Sequence, residues 1–70
     1  MKLIANDYNP NEVFKIVREW TEKTQEELSK EMGKAGRTWA KEIESGKNRF
    51  YFQDFMTICN KYGIKVTIEK

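Results

Sequence analysis

From Val13 to Trp20 the apolar side chains fall at intervals of three and four: Val13, Val17 and Trp20, with Phe14 and Ile16 beside them and polar residues between. That is the period of a helix with one broad apolar face. Its start is marked too. Asn9 can cap it, Pro10 suits the first helical position, Glu12 stands three residues after the cap, and Tyr8 and Val13 occupy the staple positions. The pattern predicts a first helix over residues 10–22.

A second helix begins at Thr24, where Glu27 completes a capping box and the Glu-rich first turn complements the helix dipole. Leu28 and Met32 form its inward row, and Gly33 is placed to end it in a left-handed conformation. After the turn "KAG", a third helix is predicted over 37–45, with Ala40 and Ile43 inside and Gly46 as terminator. Phe52, Phe55, Met56, Cys59 and Tyr62 then recur at helical spacing up to Gly63, a fourth amphipathic helix. In the tail the period changes to two: Ile64, Val66 and Ile68 alternate with Lys65, Thr67 and Glu69, as in a half-buried strand. A lone strand needs a partner, so residues 64–69 are expected to pair with residues 2–5 or with a second copy of the tail. The fold class is therefore mainly α, a four-helix bundle with short terminal strands, in a single domain over 1–70.

Composition removes most catalytic chemistry. The chain has no His, one Cys (Cys59) and two Asp (Asp7 and Asp54), which excludes zinc ligand sets, Cys–His pairs and Ser–His–Asp triads. No enzyme activity, metal or cofactor is expected, and Cys59 reads as a small buried hydrophobe suited to a reducing, cytoplasmic setting. The opening "MKLIANDYNP" has too short an apolar run for a leader or a membrane span. Net charge is only +2, but it is unevenly spread: residues 1–31 sum to −2, residues 32–50 to +3 and the remainder to +1. Positive charge collects around the third helix.

In this order and at these intervals, "TQEEL" at 24–28, "MG" at 32–33, "IESGK" at 43–47 and the run Phe52, Phe55, Met56, Cys59, Tyr62, Gly63, Ile64 carry a resemblance. The chain resembles the Cro and lambda-repressor type (XRE-like) of helix-turn-helix DNA-binding domains over residues 12–64. The resemblance implies a third helix lying in the major groove of double-stranded DNA. It implies base contacts from Arg37, Thr38, Trp39, Lys41 and Glu42: Arg37 as a fork for guanine, Thr38 toward a thymine methyl, Glu42 accepting from cytosine. Phosphate contacts would come from Gln25, which opens the second helix, and from Lys34, Lys47, Asn48 and Arg49 in the flanking turns.

The chain departs from that pattern in three places. One residue more than usual separates Gly33 from Ile43, so assignments from Lys34 to Arg37 can slip by one. A strand replaces the usual fifth helix. Trp39 is unexpected on a groove-reading helix; it fits a core position leaning on the second helix, a contact with a sugar or thymine methyl, or a protein-binding face. The expected function is a sequence-specific transcriptional regulator, a repressor of bacterial or phage type acting as a homodimer through the C-terminal strand. The alternative is the same scaffold used as a protein-interaction module with a protein partner, as in an antitoxin or accessory factor.

Overall fold

The computed structural model describes residues 2–70 and contains four helices after a short 3-10 turn at Ala5–Asp7. They are α1 (Pro10–Thr21), α2 (Gln25–Glu31), α3 (Trp39–Glu44) and α4 (Phe52–Lys61). Two of the expected starts are realised by the expected bonds. The amide of Asn9 donates to Glu12 Oε1 at 3.0 Å ahead of Pro10. At α2, Thr24 N donates to Glu27 Oε1 at 2.9 Å while Thr24 Oγ accepts from Glu27 N at 3.1 Å, a reciprocal pairing that satisfies two otherwise unpaired donors. Gly33 takes φ +70 after α2, which lets Lys34 N reach back to Ser29 O at 3.1 Å and turns the chain toward α3.

The core is built from Phe14 and Val17 of α1, Leu28 of α2, Ala40 and Ile43 of α3, and Phe55, Ile58 and Cys59 of α4. Among the described residues no helix is long and apolar enough to cross a membrane. At the junction of α2 and α3 sits Ser29, fully buried. Its hydroxyl donates to Gln25 O at 2.8 Å and accepts from Ala40 N at 3.0 Å. One buried Ser thereby satisfies an α3 amide that has no partner within its own short helix.

Three expectations need correction. Residues 2–5 and 64–69 form no ladder: the first segment runs into the 3-10 turn, and the second leaves the core after Ile64 without a neighbouring strand. Backbone without a cross-strand partner has nothing to hold it as sheet. The third helix starts at Trp39, not Arg37, because the extra residue in the connection is absorbed as a tight turn, with Trp39 N bonded to Gly36 O at 3.3 Å. Phe52 is 61% exposed; it opens α4 beyond the edge of the core. Its expected place is taken by Phe50, whose ring lies 5.3 Å from Phe14 and 5.6 Å from Phe55. Of the three places open to Trp39 it takes the core one: it is half-buried and packs against the core, with its ring edge-on to Phe14 of α1 at 5.6 Å.

Candidate nucleic-acid interface

The short helix α3 is held across α1 and α2 by one acid. Glu44, whose side chain is only 5% exposed, accepts from Arg18 Nε at 2.5 Å and Nη2 at 3.1 Å, and from Gln25 Nε2 at 3.1 Å. The fork geometry of Arg18 onto both carboxylate oxygens is the strong form of such a pair. The hydrogen bond to Glu44 raises Arg18 above its ordinary value against the opposing effect of burial. Arg18 Nη1 also donates to Lys23 O at 2.8 Å, tying the α1–α2 connection into the same lock. Asn11 Nδ2 donates to the Glu44 carbonyl at 3.3 Å, so the end of α3 is bound to the start of α1 as well.

The second acid of α3 is engaged locally. Glu42 accepts from Thr38 Oγ at 2.9 Å and from the side-chain amide of Asn48. This bracket joins the turn before α3 to the loop after it, and Lys47 N to Glu42 O at 2.9 Å closes the helix end between them. Thr38 consequently gives no side-chain cap to α3.

The residues expected at bases therefore divide. Lys41 is exposed on α3, and Thr38 and Glu42 are tied to each other. Arg37 lies in the preceding turn with 85% of its side chain exposed and a loose pair to Glu26 at 3.6 Å. Trp39 faces inward and is covered by Lys34, whose ammonium sits 5.0 Å above its ring. Those expected at phosphates divide too. Lys47, Asn48 and Arg49 are exposed in the loop following α3. Gln25 is half-buried with its amide on Glu44, and Lys34 pairs with Asp54 of α4 at 3.1 Å. Among the described residues Lys41, Lys47 and Arg49 make no ion pair.

The electrostatic outcome is a segment, residues 37–49, in which Glu44 is paired with Arg18, Glu42 keeps its charge while hydrogen-bonded by the neutral Thr38 and Asn48, Lys41, Lys47 and Arg49 are exposed, and Arg37 makes only a loose pair to Glu26. Such a surface can accept a polyanion without first losing an internal ion pair of any strength. Sequence reading missed two residues that shape it, Glu44 and Ser29. The signal for each was a polar residue at inward helical spacing, Ser29 three before Met32 and Glu44 four after Ala40. Among the described residues no three His, Cys, Asp or Glu side chains stand together as a metal would require. Comparisons with protein-family models, with curated proteins and with solved structures found no match.

Proposed function

We propose that this chain is a sequence-reading, double-stranded DNA-binding protein of helix-turn-helix type that regulates transcription, with α3 directed into the major groove. The observation that carries the reading is the combination at α3: the Arg18–Glu44–Gln25 lock fixes the helix against α1 and α2, and among the described residues Lys41, Lys47 and Arg49 stay exposed without an ion pair on and just after it. Lys41, together with Arg37 and Thr38 in the turn before it, faces the bases, while Lys47, Asn48 and Arg49 hold phosphates. One six-residue helix reads few base pairs, so two chains on a two-fold site supply the remaining contacts. Repression by occupancy in a reducing, cytoplasmic compartment fits a domain with a single buried thiol.

Binding of the purified chain to a random-sequence duplex pool, selected at two salt concentrations, tests the reading. Two cationic phosphate contacts per chain, Lys47 and Arg49, correspond to a slope of about −1.8 in log–log terms, so affinity falls roughly tenfold per chain between ~50 and ~200 mM salt. Enrichment of a motif with that dependence supports the reading; salt-insensitive binding with no enriched sequence refutes it. A second reading, a scaffold for a protein partner, draws on a different observation: Tyr51 and Phe52 are 75% and 61% exposed at the start of α4. It no longer draws on Trp39, which packs against Phe14.

A further inference from the structure

Between α3 and the first turn of α4 the chain reads Lys-Asn-Arg-Phe-Tyr-Phe, residues 47–52. Phe50 packs against the core, while Arg49 and Tyr51 on either side of it are exposed, Tyr51 at 75%. Phe52, at 61%, leans on Phe55 with the rings 6.2 Å apart and tilted by 31°, so its ring is backed by the core and otherwise open. Among the described residues Tyr51 has no ring beside it, and neither Lys47 nor Arg49 has an ion pair. Residues 45–53 carry no acid. Tyr51 precedes α4 and gives it no side-chain cap, so the helix does not call for a ring there.

We propose that this run binds an unpaired DNA strand, Tyr51 and Phe52 stacking on two successive bases while Lys47 and Arg49 hold the phosphates beside them. A large ring left in water costs free energy that stacking on another flat, partly apolar face recovers, and every base offers such a face. Cations set next to open rings match a ligand in which charge alternates with flat apolar surface, and that is the chemistry of a single strand. An intact duplex does not present it, because its base faces cover one another and only their edges reach the grooves. A protein partner would also cover the rings, but two unpaired cations beside them and the absence of any acid favour a polyanion.

The inference goes beyond the duplex reading in its residues, Tyr51 and Phe52, and in its ligand. In naming DNA it rests on that reading: Lys47 and Arg49 also border α3, so a strand parted from a duplex at that edge passes onto the rings without leaving the protein. Stacking and charge tolerate any sequence, so little base preference accompanies this contact.

The test is fluorescence anisotropy of a labelled deoxythymidine strand of about fifteen nucleotides, which forms no duplex with itself, titrated with the full chain. Two phosphate contacts on a single strand give a slope of about −1.4, so affinity falls roughly sevenfold between ~50 and ~200 mM salt. Tyr51→Leu and Phe52→Leu each weaken binding on the order of tenfold with an unchanged helical spectrum. Tyr51→Phe, which keeps the ring, retains it, and neither leucine variant alters binding to a duplex. No binding at low salt overturns the proposal and returns the rings to a protein partner. Binding that both leucine variants leave intact overturns it too, since charge alone then holds the strand. A uridine strand of the same length bound more tightly than the deoxythymidine one overturns the assignment to DNA. Duplex binding without single-strand binding overturns this proposal alone, whereas single-strand binding without duplex binding overturns the duplex reading alone.

Discussion

Glu44→Ala is the most informative single change to stability. It removes the carboxylate that holds Arg18, whose side chain is only 14% exposed, and it also strands the Gln25 amide. Breaking a buried pair from one side costs ~3–5 kcal/mol, because the remaining charge stays desolvated. Arg18 keeps its bond to Lys23 O and some contact with water, which places the expected loss at the low end, about 3 kcal/mol. A 70-residue domain has only ~4–10 kcal/mol in total. The loss is a large share of that and corresponds to a Tm lowered by roughly 12–24 °C. Urea and thermal unfolding followed by helical circular dichroism measure it. The double variant R18M/E44M, which removes both charges, is expected to recover most of the loss, since an apolar pair of similar volume is close to neutral. A Glu44→Ala Tm shift below about 4 °C, or a double variant as unstable as the single one, refutes the lock.

Phe50→Ala is expected to cost about 2–3 kcal/mol by opening the aromatic contacts with Phe14 and Phe55, whereas Phe52→Ala stays within about 0.5 kcal/mol; paired urea titrations compare them. Arg37→Ala is expected to weaken duplex binding by ~1–3 kcal/mol and relax base preference, whereas Lys47→Ala weakens all sequences alike and lowers the salt slope by about 0.9, both read by fluorescence anisotropy. Tyr62 donates to Glu31, and that bond pushes its phenol up to about 12 from an ordinary 10.0. A raised folded value stabilises below pH 10.0 and is lost as pH rises toward 12, so phenolate absorbance shows one late-ionising tyrosine that Tyr62→Phe removes. Glu31 is held below its ordinary 4.5, first by the hydrogen bond from Lys61. Its contribution is present above pH 4.5 and lost as pH falls, and Glu31→Gln flattens that acid limb of the urea midpoint.

The helices were legible because their signals are local. Asn9, Pro10 and Glu12 act within one turn, as do Thr24 and Glu27, and the structure makes their bonds as expected. Features that depend on contacts distant in sequence were not legible. Arg18 and Glu44 are twenty-six residues apart, and nothing local marks one as the partner of the other. Phe50 precedes any helical period, so only the return of the chain onto Phe14 makes it core in place of Phe52. Arg37 lies in a turn and does not open the helix, because the bond from Trp39 N to Gly36 O closes a tight bend ahead of α3. For the candidate interface, residue type was readable at Lys41, Lys47 and Arg49, which are exposed. Gln25 and Lys34 each bond a neighbour inside the fold, Glu44 and Asp54, which their residue type alone did not indicate.

The central claim, that the surface around α3 meets DNA, is tested most directly by titrating the isotopically labelled chain with a duplex and following each backbone amide by nuclear magnetic resonance. The account predicts salt-sensitive shifts concentrated at residues 37–49, led by Arg37, Lys41, Lys47 and Arg49, with α4 undisturbed. Shifts centred on Tyr51 and Phe52, or none at low salt, would contradict it.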